Sequence, residues 1–201
     1  MKSEVFLVDC MEGMKQYPDK YFDLAVVDPP YGININSSGR LGHYGGKKNW
    51  DQNTPDEEYF VELKRISKNQ IIWGGNYFAL PPTRCFLIWD KQQPEGVSFA
   101  SCEYAWTSFN ASAKTFYLRP QNADAIRIHP TQKPVALYDW IYAKYLQQGG
   151  KVLDTHLGSG SNRIAADKAG NIDFTAYELD KDYYEAQEKR FAIYKSQLKI
   201  F

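Results

Sequence analysis

The stretch Lys151-Val152-Leu153-Asp154, running into Thr155-His156-Leu157-Gly158-Ser159-Gly160-Ser161, limits the fold of this chain more than any other. A short apolar run ending in an acid reads as a buried strand, glycines at alternate positions turn the chain, and Ile164, Ala165 and Ala169 follow at helical spacing. Strand, glycine turn and helix in succession form a unit that cradles a nucleotide, because a ligand can approach the backbone closely. A further strand, Asp173-Phe174-Thr175-Ala176-Tyr177, ends at Glu178, whose carboxylate can accept both hydroxyls of a ribose. The pair reads as a nucleoside pocket. It is a poor dinucleotide pocket, since the third glycine of Gly-x-Gly-x-x-Gly is replaced by Arg163, a side chain expected to obstruct close helix-to-strand packing.

The same alternation runs through the chain. Residues 4–8 read as a strand ending at Asp9-Cys10, Met11 to Tyr17 as a short helix, and Phe22 to Val27 as a strand ending at Asp28-Pro29-Pro30-Tyr31. Thr54-Pro55-Asp56-Glu57 reads as a capping box with proline at the first helical position, ahead of Tyr59, Phe60, Leu63 and Ile66. Gln70 to Trp73 and Arg84 to Trp89 read as strands, and a helix after Pro134 carries Leu137, Trp140, Ile141 and Tyr145. The last helix should bury a stripe of Tyr184, Phe191, Tyr194 and Leu198. Strands alternating with helices predict an α/β fold, a doubly wound Rossmann-like sheet, mostly parallel with helices on both faces. At 201 residues one domain is expected. Two segments depart from the pattern. Residues 32–50 hold five glycines without periodicity and read as a mobile loop, and 92–128 reads as a small insertion of short strand-like pieces.

Asp28-Pro29-Pro30-Tyr31 is the second chemical feature. The prolines lack N–H groups and fix φ, so the chain leaves the strand rigid and rich in acceptors. With the Asp28 carboxylate and the flat Tyr31 ring, such an edge can hold an exocyclic amino group and stack on the base that carries it. The structural alternative is a Pro-Pro turn with a core tyrosine.

Composition narrows the partners. Lys plus Arg and Asp plus Glu both number 24, so no global basic field announces nucleic acid, and any such binding needs a local patch. Three cysteines without a Cys-x-x-Cys pair argue against a disulfide framework, and three scattered histidines give no metal-ligand spacing; no metal is expected. With no signal-peptide core and no long apolar run, no membrane association and a cytoplasmic location are expected.

Four motifs in one order carry a resemblance. Asp28-Pro29-Pro30-Tyr31, then His129-Pro130-Thr131-Gln132-Lys133-Pro134, then Asp154 to Gly160, then Glu178, is similar to the circularly permuted beta class of amino-methylating DNA methyltransferases that use S-adenosylmethionine. The resemblance covers nearly the whole chain. It implies catalysis at Asp28, Pro29, Pro30 and Tyr31, with Asp28 also touching the cofactor. It also implies a cofactor site in which Asp9 and Cys10 lie by the adenine, Thr131 and Lys133 by the carboxylate, Asp154, Leu157, Gly158, Ser159 and Gly160 form the loop, and Glu178 takes the ribose. S-adenosylhomocysteine would be the product. His156 stands where the family has phenylalanine, so one packing contact on the cofactor changes; a half-buried polar residue without cofactor contact is the alternative.

An adenine amino group is a poor nucleophile because its lone pair is delocalised, so two fixed acceptors, the Asp28 side chain and the Pro29 carbonyl, would hold its N–H bonds while a methyl donor sits over Gly158. The base must leave the duplex to be reached, and Tyr31 is the expected stacking platform. Candidate DNA contacts are Arg40, Lys47 and Lys48 in the loop, and Lys114, Arg119 and Arg127 in 92–128, beside Gln92, Gln93, Gln121 and Asn122. The short recognition region raises a homodimer or a partner subunit as a way to complete the grip on DNA. Cytosine-N4 methylation, RNA or protein amide methylation, and a non-catalytic nucleic-acid-binding module are the competing readings. The resemblance disfavours cytosine, since those relatives more often carry serine at the Asp28 position.

Overall fold

The computed structural model describes residues 2–34, 50–96, 100–120, 124 and 126–197. In chain order it contains β1 (Ser3–Leu7), α1 (Cys10–Met14), β2 (Phe22–Val27), α2 (Glu57–Ile66), β3 (Ser67–Trp73), β4 (Phe86–Asp90), β5 (Cys102–Thr107), β6 (Lys114–Tyr117), α3 (Val135–Tyr145), β7 (Gly150–Asp154), α4 (Ser161–Ala169), β8 (Ile172–Glu178) and α5 (Lys181–Gln197). The strands form one sheet in the order β1-β8-β7-β2-β3-β5-β4-β6. Among the described residues, β5 alone runs against the others, pairing antiparallel with both β3 and β4. The doubly wound, mostly parallel sheet read from the sequence is therefore present.

Two apolar layers flank the sheet, as the near-continuous apolar runs of β2 and β3 require. Leu24, Val26, Ile71 and Trp73 pack with Leu137 and Ile141 of α3 and Ala165 of α4 on one face. Ala25, Val27 and Ile72 pack with Met14 of α1 and Tyr59, Leu63 and Ile66 of α2 on the other. Each fully buried leucine or isoleucine stabilises the fold by about 1.5–3 kcal/mol.

Local readings shift in four places. The cap of α2 is Asp56, which accepts the Tyr59 N–H at 3.0 Å, so Pro55 precedes the helix instead of opening it. An aspartate there caps as well as threonine and also complements the helix dipole. Helix α1 is shorter than expected, although i→i+3 bonds carry the turn on to Tyr17. The buried face of α5 is Tyr183, Gln187 and Arg190, whereas Tyr184, Phe191 and Tyr194 are half-buried and Leu198 lies outside the described residues. The helix is rotated because Arg190 and Gln187 have polar partners beneath them. Finally, 92–128 is no separate insertion: it supplies β5 and β6 to the central sheet. Most of the 32–50 segment lies outside the described residues.

Candidate active site

Parallel strands deliver their ends to one edge, and β1, β2, β7 and β8 stop there at Asp9, Asp28, Asp154 and Glu178 or next to them. Because β5 is reversed, its first residues reach the same edge, with Glu103 opposite Trp89 and Cys102 opposite Asp90. A cavity of about 710 Å³ opens along this edge.

At the β2 end, four charges lie in a row. The Asp28 carboxylate accepts the Tyr31 hydroxyl at 2.5 Å and the Lys133 ammonium at 2.5 Å. Lys133, 3% exposed, also reaches Glu103 at 3.0 Å and donates to the Tyr31 oxygen at 3.2 Å, and Glu103 in turn pairs with Lys91 at 2.6 Å. Burial would raise Glu103, but the Lys133 and Lys91 ammoniums outweigh it and hold the carboxyl at about 2. Burial pushes Asp28 up, against the pull of Lys133 and with the push of Glu103. Burial would lower Lys133, yet the two carboxylates keep it above its ordinary value and charged. An ammonium has three N–H bonds, and these three acceptors use all of them. Lys133, expected beside a cofactor carboxylate, thus grips Asp28 and Glu103 while lining the cavity.

Tyr31 is not an open platform. Its ring is stacked on Tyr77 at 4.9 Å and 12°, and a Cβ on Gly74 would come within 2.1 Å of it. The backbone after the prolines is fixed by buried Asp51, which accepts the N–H groups of Tyr31 at 2.7 Å and Gly32 at 3.1 Å.

At the β7 and β8 ends the backbone does the work. Gly158 has φ +53°, which favours glycine, and its N–H donates to Glu178 at 2.8 Å; the other Glu178 oxygen accepts the Asp180 N–H at 2.8 Å. Burial raises Glu178 and these bonds oppose the rise. Arg190 of α5 holds the turn from behind through the Ser159 carbonyl at 2.8 Å and the Ser161 hydroxyl at 2.9 Å. Arg163 points to Glu188 and under the Phe191 ring on α5, so it does not obstruct the turn as expected.

Asp9, Cys10, Asp28, Pro29, Pro30, Tyr31, Thr131, Lys133, Leu157, Gly158, Ser159 and Glu178 all line the cavity. Two expected cofactor residues do not. Asp154 turns inward and accepts the His156 N–H at 3.1 Å and the Asn162 amide at 2.9 Å, with burial raising it to about 7. Gly160 faces Gln187 of α5. Burial, with Asp9, pushes the Cys10 thiol up to about 12 and keeps it protonated near pH 7. Lys114, Arg119 and Arg127 are exposed and away from the cavity wall, with Arg127 donating to the Pro130 carbonyl at 2.7 Å. Arg40, Lys47, Lys48, Gln121 and Asn122 lie outside the described residues. Sequence reasoning missed Glu103, Lys91, Asp51, Tyr77 and Arg190; for Asp51 alone there was a local signal, its position where the glycine-rich loop returns. Among the described residues no group of three or more His, Cys, Asp or Glu could hold a metal, and no helix is long and apolar enough to cross a membrane.

Comparison with known proteins bears on the family and the fold. The family model of N6/N4 DNA methylases matches residues 88–189. A methylase candidate, YubD of Escherichia coli (strain K12), is 23% identical over 203 residues, covering 92% of this chain and 88% of YubD. Among solved structures, M1.HpyAVI in complex with S-adenosylmethionine superposes with TM-score 0.64 at 18% identity, covering 94% of this chain and 98% of that one. The PvuII cytosine-N4-specific DNA methyltransferase superposes with TM-score 0.66 at 12% identity, covering 95% and 86%. The fold is the one these methyltransferases share.

Proposed function

The chain belongs to the N6/N4 DNA methylase family, and from that premise we propose that it transfers a methyl group from S-adenosylmethionine to the N6 amino group of a flipped-out adenine in DNA. The observation that carries the proposal is that Asp28 and the Gly158–Glu178 pair open on one cavity. Its size suits a nucleoside and a base together. The residues fit the cofactor: the Gly158 backbone is open, with His129 the nearest group to a Cβ placed there at 3.7 Å, and each Glu178 oxygen keeps lone pairs for a ribose hydroxyl. When bound, S-adenosylmethionine supplies an electrophilic methyl on a sulfonium.

The chain's own residues do the rest. Asp28 and the Pro29 carbonyl accept the two N–H bonds of the amino group, orienting its lone pair toward the methyl. Asp28 can do so because a carboxylate has about four acceptor positions and the protein occupies two of them. Tyr31, tied through its hydroxyl, fixes that carboxylate from the other side. As the new N–C bond forms, one N–H proton leaves to Asp28 or water, and S-adenosylhomocysteine is the other product. The motif order supports a reading as a member of the permuted beta class. Asp28 favours adenine, while the likeness to the cytosine-N4 enzyme keeps cytosine as the second reading.

We assign phosphate or base contacts to Arg40, Lys47, Lys48, Lys114, Arg119 and Arg127, and a homodimer or partner subunit to complete the grip on DNA. Labelled methyl transfer to a panel of DNA and RNA, with identification of the modified nucleoside, tests the proposal. N6-methyladenine in DNA supports it; N4-methylcytosine moves the assignment to the second reading, and label confined to RNA or absent from all nucleic acid overturns it.

A further inference from the structure

The position where the resemblance expects phenylalanine can be read by following hydrogen atoms. The hydroxyl of Tyr59, a residue 2% exposed, bonds to Thr155 Oγ1 at 2.6 Å, and Thr155 Oγ1 lies 2.9 Å from His156 Nδ1. Three proton arrangements are conceivable along this chain. If Thr155 donated to Tyr59, the tyrosine proton would be buried without an acceptor among the described residues. If Tyr59 and His156 both donated to Thr155, the threonine proton would be stranded instead. Stranding a buried donor incurs its full desolvation penalty. The arrangement that satisfies every donor runs Tyr59 to Thr155 to His156 Nδ1, which makes Nδ1 the acceptor and puts the imidazole proton on Nε2.

The ring is fixed in that state. Burial lowers its pKa to about 4, against a weaker pull from Asp9, so it is neutral near pH 7. Tyr59 packs edge-on against it at 5.6 Å. His156 lines the cavity, and its Nε2–H has no protein partner among the described residues. His156 thus brings a hydrogen-bond donor to the cavity wall. Asp9, on the same wall and near enough to act on the His156 charge, already accepts the Met11 N–H at 2.7 Å through one oxygen and keeps further acceptor capacity.

We propose that His156 donates a hydrogen bond from Nε2 to a ring nitrogen of the cofactor's purine, so that this chain reads the adenine ring where a phenylalanine would only pack against it. The inference rests on the cofactor reading above. A donor next to an acceptor matches adenine, whose ring nitrogens accept and whose amino group donates. On the N1 edge it mismatches hypoxanthine, whose N1–H and O6 reverse the pattern.

Calorimetric titration of the whole chain tests this with S-adenosylhomocysteine, its 1-deaza, 3-deaza and 7-deaza analogues, and its deaminated inosyl analogue. Each deaza compound replaces one ring nitrogen by C–H. One of the three should bind the unaltered chain about three- to tenfold more weakly than the parent. His156→Phe should weaken the parent by a similar factor and abolish the difference between it and that analogue, with melting temperature as the folding check. Equal affinity for all three deaza analogues, measured on the unaltered chain, overturns the inference even while S-adenosylhomocysteine binds. Discrimination that survives His156→Phe also overturns it. If the unaltered chain does not bind S-adenosylhomocysteine at all, the cofactor reading falls, and the inference with it.

Discussion

The two halves of the cavity are held by different physics. Around Asp28, position is set by side-chain charges, two carboxylates and two ammoniums in a row, in which removal of any member leaves a neighbour uncompensated. Around Glu178, position is set by backbone: a left-handed glycine, two N–H groups on the carboxylate, and an arginine bracing the turn from behind. Charges can tune reactivity and respond to pH, whereas a backbone cradle fixes shape and little else. The reacting half should therefore fail in turnover and pH dependence, and the cradle half in affinity.

The largest expected effect is at Asp28. Asp28→Asn should lower kcat by about 10²–10³-fold, by analogy with the loss of one preorganised polar contact at a reacting group, and leave S-adenosylhomocysteine affinity within a few fold. A comparable loss of affinity would erase the distinction between the halves. Next is Glu178→Ala, where charge-assisted bonds of roughly 1.5–3 kcal/mol each are at stake, so affinity should fall at least tenfold in calorimetry. Unchanged affinity would remove Glu178 from the ribose site.

Glu103→Gln comes third. It leaves the cluster with one extra positive charge next to a reaction that moves positive charge onto the amino nitrogen, and kcat should drop roughly tenfold. Glu103 raises Asp28, so its removal should shift the acid limb of the rate profile to lower pH. The stability sign also follows. Glu103 is held at about 2 when folded, against an ordinary value of 4.5, so its contribution is present above pH 4.5 and lost as pH falls toward 2. Asp28, held high, acts in the opposite sense. Melting curves between pH 5 and 2.5 should be less acid-sensitive in Glu103→Gln than in the unaltered chain; equal acid sensitivity would contradict the pairing.

The smallest effect concerns the aromatic pair. Since Tyr77 covers one face of Tyr31, Tyr31→Ala should lower the melting temperature as well as activity, contrary to the flat melting expected of an open platform. Tyr77→Ala, 45% exposed before truncation, should leave melting within about 0.5 kcal/mol and change DNA-dependent KM by a few fold. A large stability loss in Tyr77→Ala would make the pair a core contact.

What the sequence disclosed was what is local. The strand ends at Asp28, Asp154 and Glu178, and the glycine turn between the last two, are each encoded within a few residues, so their positions were legible. Asp154 was placed correctly in the chain but not in the pocket, because nothing local tells an inward carboxylate from an outward one. Glu103 was hidden for a topological reason: reading each strand toward its end finds catalytic residues only on strands that run the common way, and β5 does not. The face of α5 was misjudged because its buried side chains are polar, held by Arg163 and Ser159 instead of by apolar packing.

The reversed strand has one more implication. Since β4 and β5 are joined at their roots by the Lys91 N–H, which donates to the Ser101 carbonyl at 2.9 Å, their connection begins and ends at the mouth of the cavity, a lip of which 91–96, 100 and 101 are described. Glu95 and Gly96 within it are exposed, and a Cβ added at Gly96 would touch nothing. Doubling the length of such a loop costs only about 0.6 kcal/mol in closure entropy. The lip can therefore lengthen or be exchanged at little thermodynamic cost to the sheet beneath it, which makes it a natural place for a scaffold of this kind to acquire a new reach toward DNA while Lys91 and Glu103, at its two roots, keep the ion row in place.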